Sequence, residues 1–196
     1  MTYSTYADSI RPSEKKKAFL YDLLLVIVGG ALVTFSARLV IPLSFTPVPI
    51  TAQTLAVVLI GATLGSKRAA ACLITYLTAG AFGVPVFQSG QAGIVYLITS
   101  PTGGYLFGFV AAAYLIGFLA ERGWDRRYVT TIAAMALGNG VIYVFGLARL
   151  AFVVGIDRVL PLGFYPFVLG DLIKILIATL LLPSGWKLLN LTKIHE

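Results

Sequence analysis

Hydrophobic positions gather into long blocks, and short clusters of Lys, Arg, Gly and Pro separate them. Residues 1–17 are polar and end in Lys15, Lys16 and Lys17. The apolar run that follows reaches from Ala18 to about Ile41, too long for the apolar region of a cleaved signal peptide. It reads as a first membrane helix behind a basic anchor. The blocks predict six helices, over about 18–40, 51–65, 67–81, 103–120, 128–153 and 165–188. The first stops before Pro42. The second and third fall short of the ~17 residues an untilted span needs, as expected of segments buried by neighbours or set beside a ligand cavity. The predicted organisation is a polar segment at 1–17, a membrane domain at 18–188 and a tail at 189–196.

Two connectors stand apart. Residues 42–50 carry three prolines, Pro42, Pro47 and Pro49, which stiffen the chain and exclude regular helix. Residues 82–102 hold no charge yet are rich in apolar and aromatic side chains. A solvated connector is more polar, so this segment is expected to pack onto the helices, as a lid or as a re-entrant structural plug. Gly83, Gly90 and Gly93 permit its tight turns.

Composition narrows the class. Of 196 residues, 58% are hydrophobic and 12% charged, and mean hydropathy is +0.90. A soluble domain carries about twice that charged fraction. The fold class is therefore an all-α integral membrane protein of one compact domain, multi-pass in the cell membrane. The net charge of +7 does not indicate nucleic acid, because the basic residues flank apolar blocks and form no continuous patch. With the N-terminus inside, eleven Lys and Arg between Arg11 and Lys193 fall inside and three, Arg38, Arg149 and Arg158, fall outside. That asymmetry places both termini in the cytoplasm. The single cysteine, Cys72, excludes an internal disulfide, and the single histidine, His195, sits at the C-terminus.

The segment Gly61–Lys67 fails as a phosphate loop. Three residues separate its glycines instead of four, and Arg68 follows Lys67 where Ser or Thr is required. ATP-driven uptake would need a separate subunit for hydrolysis. Gly104, Gly108 and Ala112 form a small-residue stripe, echoed by Ala134 and Gly138. Such stripes let helices approach closely, either within this chain or against a partner.

The most informative pair is Asp171 and Lys174, inside the apolar run 165–182. An ionised side chain at membrane depth costs about 2.5–3.5 kcal/mol on insertion scales and needs a partner, a cavity or a ligand. Spaced i, i+3, the two share one helical face. They suit a small polar molecule, or they neutralise each other. Gln53, Gln88 and Gln91 add amides that both donate and accept, matching a ureido or amide group. Phe45, Phe87, Tyr96, Tyr105 and Tyr165 are candidates for an apolar pocket or for packing. No nucleophile–base pair is evident, so an enzyme is not expected.

Four segments together resemble the BioY biotin transporters, the substrate-binding S components of energy-coupling factor (ECF) transporters. They are 47–54 (Pro-Val-Pro-Ile-Thr-Ala-Gln-Thr), 80–87 (Gly-Ala-Phe-Gly-Val-Pro-Val-Phe), 100–109 (Ser-Pro-Thr-Gly-Gly-Tyr-Leu-Phe-Gly-Phe) and 166–174 (Pro-Phe-Val-Leu-Gly-Asp-Leu-Ile-Lys). The resemblance implies an S-component-like fold of six transmembrane helices, with outer loops closing over a vitamin site. It implies capture of biotin as the transported ligand rather than a cofactor. The implied partners are an ECF transmembrane coupling subunit and two ABC-type ATPase subunits. The substrate-binding residues it implies are Asp171, Lys174, Gln91, Gln53, Tyr105 and Phe87. Gln91 stands where some relatives carry a ligand-contacting Asn. Leu106 stands where some carry Arg, so another donor must meet the carboxylate end. The family's coupling surface in the first helix maps to Gly30–Thr34. Rival expectations are an S component for another vitamin, and a membrane scaffold that docks through the Gly104 face.

Overall fold

The computed structural model describes residues 3–192, so Lys193 and His195 lie outside the described residues. Nine α-helices occur among those residues: α1 (Tyr6–Ser9), α2 (Lys15–Ser36), α3 (Gln53–Leu64), α4 (Ser66–Ala81), α5 (Ile94–Thr99), α6 (Gly103–Ala120), α7 (Tyr128–Val154), α8 (Val159–Gly163) and α9 (Val168–Thr192). The six predicted helices correspond to α2, α3, α4, α6, α7 and α9. Four helical stretches, Lys15–Ser36, Gly103–Ala120, Tyr128–Val154 and Val159–Leu189, are long and apolar enough to cross a membrane; Gln53–Leu64 is apolar but shorter.

The boundaries shift where local chemistry dictates. The first helix ends at Ser36 rather than near residue 40, because Val40–Ile41 (β1) pairs antiparallel with Ile50–Thr51 (β2). This short ladder frames the proline-rich segment and was not expected of an all-α chain. At the other end of the chain, Pro166 sits in a 3₁₀ turn, Tyr165–Phe167, and α9 begins only at Val168. A residue preceding proline disfavours α geometry. Residues 94–99 and 159–163, expected as loop and turn, each form a short helix.

Of the four long apolar stretches, the one in α6 is the most buried. Its most apolar window is 67% buried, against 17% for α2. The outward faces of α2 and α9 expose large apolar side chains, among them Phe19, Leu24, Ile27, Leu172, Leu176 and Leu180. An apolar exterior of this extent suits hydrocarbon and is foreign to a soluble surface. The small-residue stripe is consumed internally. A Cβ on Gly104 would meet the Phe145 carbonyl and lie 2.5 Å from Arg149 Cβ, and one on Gly108 would lie 3.0 Å from Ile142 Cα. Gly138, from the second stripe, packs against Ile116 on α6. The stripes thus seat α6 and α7 together, which removes the face a scaffold would dock through.

Chain order places the C-terminal ends of α2, α4 and α7 beside the N-terminal ends of α3, α6 and α9, at one end of the bundle. The opposite end is tied by polar contacts. Arg68 bridges Asp8 at 2.8 Å and Asp22 at 2.7 Å. Thr5 and Asp8 form a capping box on α1, and the Tyr6 ring packs at a tilt on Trp186 with ring centroids 4.3 Å apart. Glu121 accepts from the Ser66 N–H at 2.7 Å, a carboxylate on the N-terminus of α4. Residues 3–14 therefore fold against the bundle rather than trailing from it. Burial alone would raise the Asp8 carboxyl, but the Thr5 N–H and the Arg68 guanidinium outweigh it and hold it below the usual range.

Candidate ligand-binding site

The loop over residues 82–102 is packed down, as its composition predicts. Phe87 is fully buried, edge-on to Tyr76 and stacked on Tyr96, with centroids 5.6 Å and 5.7 Å away. Its ring occupies the space a side chain at Gly80 would need. Gly83, Gly90 and Gly93 adopt φ of 97°, 80° and 97°, values that other residues reach only with strain. Two arginines hold the loop from outside: Arg38 donates to the Pro85 carbonyl, and Arg149 donates to the Thr99 carbonyl at 2.5 Å. The proline-rich segment is anchored by Thr46, whose hydroxyl donates to the Leu162 carbonyl at 2.6 Å.

Beneath these loops lies a partly open cavity. Apolar wall comes from Val48, Leu106, Phe109, Ile142 and Phe167. Asp171 and Lys174 face into it from the first turns of α9, with Tyr143 and Asn139 from α7 and Gln53 and Thr54 from α3. A concave, mainly apolar site with a few convergent polar groups is the usual form of a small-molecule site.

The polar groups are mutually ordered. Lys174 Nζ lies 3.4 Å from Asp171 Oδ1 and donates to Thr54 Oγ1 at 2.7 Å. The Tyr143 hydroxyl donates to Asp171 Oδ2. Asp171 is 8% exposed. The carboxylate and ammonium are thus paired, but at long range, and both remain in the cavity wall. Gln53 donates to the Tyr76 hydroxyl at 2.9 Å, and that hydroxyl donates to the Val86 carbonyl at 3.2 Å, joining α3 and α4 to the loop. Gln88 Nε2 donates to the Tyr96 hydroxyl at 3.0 Å, which lies 3.2 Å from Thr102 Oγ1. Tyr105 donates to the Gly163 carbonyl at 2.9 Å.

Of the six expected site residues, four line the cavity: Asp171, Lys174, Gln53 and Tyr105. Phe87 lies outside the wall, buried among aromatics, and supports Tyr96 from behind. Gln91 is exposed and outside the wall; its carbonyl accepts from the Phe87 N–H at 3.0 Å, which closes the turn at Gln88–Gly90. Sequence reasoning passed over Thr54, Asn139 and Tyr143. Asn139 and Tyr143 share an i, i+4 face of α7, a polar spacing inside an apolar run that could have singled them out. Among the described residues no group of three or more His, Cys, Asp or Glu could hold a metal ion.

The BioY family model matches residues 11–191. The biotin transporter BioY of Thermotoga maritima is 41% identical over 152 residues, covering 77% of this chain and 87% of that protein. The biotin transporter BioY of Rhizobium etli is 37% identical over 169 residues, covering 82% and 90%. The crystal structure of an S-component for biotin from an ECF-type ABC transporter superposes with a TM-score of 0.72 at 23% identity, covering 89% of this chain and 95% of that one. The last likeness establishes a shared fold; the sequence matches establish family. The chain belongs to the BioY family.

Proposed function

We propose that this BioY-family chain is the membrane-embedded subunit that binds biotin for uptake, working as the S component of an ECF transporter. The observation that carries this reading is the Asp171–Lys174 pair, set in the wall of an apolar cavity roofed by the two outer loops. A carboxylate there accepts ureido N–H groups, an ammonium donates to the ureido oxygen, and the apolar wall takes the fused ring and the chain. The loop supplies further polar lining, Gln88 and Thr102. We assign these to the carboxylate end, since Leu106 offers no charge there.

In this reading six helices, α2, α3, α4, α6, α7 and α9, cross the cell membrane, with both termini cytoplasmic. The short α3 and α4 are sheltered by α6 and α2. Energy comes from a transmembrane coupling subunit and two ABC-type ATPases. The surface offered to that subunit includes Gly30, whose missing Cβ would meet nothing within 4 Å. Binding opens and recloses the 82–102 loop, so that biotin is desolvated before transfer.

The test is calorimetry on detergent-purified protein with biotin, desthiobiotin and thiamin. The expected result is tight biotin binding at about one ligand per chain and no thiamin binding, accompanied by thermal stabilisation of about 2.7 kcal/mol at one hundred times Kd. Folded protein that ignores biotin overturns the proposal.

A further inference from the structure

Asn139 is the outlier in the cavity wall. It is 7% exposed and lines the cavity from α7. Every other polar side chain of the wall donates or accepts within the protein, including Thr51, whose hydroxyl donates to Gln53 Oε1 at 3.2 Å. The Asn139 carboxamide alone among them makes no hydrogen bond to any described residue. A buried amide without a partner is rare in folded proteins. The residue is nine-tenths buried in the bundle, so its unpartnered amide is left to the cavity that it lines, where a ligand can pair with it. Its backbone position is set independently of its side chain. Gly138 beside it is locked against Ile116, and Tyr143, one turn on, is locked against Asp171.

We infer that Asn139 is a specificity-determining residue that reads one N–C=O edge of a cyclic urea. The inference rests on the biotin reading and assigns it a further contact. A carboxamide presents a carbonyl acceptor beside an N–H donor, and a urea edge presents an N–H donor beside a carbonyl acceptor. The two close through a pair of antiparallel hydrogen bonds. The remaining groups complete the inventory. Asp171 accepts from the second urea N–H. Lys174 spends two protons on Thr54 and Asp171 and has a third for the second lone pair of the urea oxygen. Both donors and both lone pairs of the urea are then met. A site in which a buried amide is left unpaired rejects analogues that cannot complete it.

The experiment compares wild type, Asn139→Leu and Asn139→Asp, titrated with biotin and with 2-iminobiotin, whose guanidinium replaces the urea oxygen by a donor. Asn139→Leu is expected to keep the ligand-free melting temperature, since no internal bond is removed, and to weaken biotin about tenfold or more. Asn139→Asp turns the donor half of the edge into an acceptor. It is expected to shift the biotin to 2-iminobiotin affinity ratio about a hundredfold towards 2-iminobiotin. Unchanged biotin affinity in folded Asn139→Leu, or equal losses for both ligands with an unchanged ratio, overturns the inference and leaves the proposed function standing. A ligand-free Asn139→Leu protein that fails to fold shows a structural role and also overturns it. Wild-type protein that binds no biotin refutes the underlying reading instead.

Discussion

Replacing Asp171 by Asn separates a binding site from a structural ion pair. The substitution keeps the side chain's shape and an acceptor for Tyr143, while removing the charge opposite Lys174. Deleting one partner of a buried pair costs about 3–5 kcal/mol. Here the cost belongs at or below the lower end, because the pair is long at 3.4 Å and Lys174 keeps its bond to Thr54. The effect on biotin is a distinct quantity. A hydrogen bond to a charged group contributes about 1.5–3 kcal/mol, and each 1.4 kcal/mol is tenfold, so Kd should rise about ten- to a hundredfold. Calorimetry reads the second quantity and detergent thermal unfolding the first. The double variant Asp171→Asn/Lys174→Gln decides between the roles. If the pair only neutralises itself, removing both partners restores stability and binding together. If it meets the ligand, stability recovers and binding does not. Wild-type affinity in a folded Asp171→Asn protein, or recovered affinity in the double variant, refutes the assignment.

Three further outcomes follow from packing and charge. Gly104→Val should push α6 off α7 and lower the melting temperature, with overpacking worth about 1–3 kcal/mol; an unchanged melting curve contradicts the close approach seen at the Phe145 carbonyl. Phe87→Ala should leave a cavity worth about 3–5 kcal/mol and loosen residues 82–102, read as faster amide exchange at Ile94–Thr99; protection equal to wild type there would show that Phe87 does not hold the loop. Asp8, whose carboxyl is held low by Thr5 and Arg68, contributes stability that is complete above the ordinary aspartate value of about 3.9 and is lost as pH falls through its lower folded value. Asp8→Asn should therefore melt lower than wild type at neutral pH, and the gap should close in acid; a gap independent of pH would exclude this linkage.

The position of the helices was legible because apolar block length answers to bilayer thickness, and Gly, Pro and basic clusters mark where blocks end. The pair Asp171 and Lys174 was legible because charge inside such a block is costly and therefore conspicuous. Chain order and burial preference also foretold that 82–102 would pack down, since an uncharged aromatic loop gains little from water. Other features depend on contacts between residues distant in sequence, and no local pattern encodes those. Gln91 and Phe87 sit in the same loop as Gln88, yet turns at Gly90 and Gly93 send Gln91 outward and Phe87 beneath Tyr96, leaving Gln88 at the cavity. The small-residue stripe on α6 was ambiguous until α7 was seen to occupy it. Asn139 is one polar residue in an apolar run until Gly138 and Tyr143 fix the rotation of α7. Only packing then decides that its amide faces the cavity and that every neighbouring polar group is already bonded.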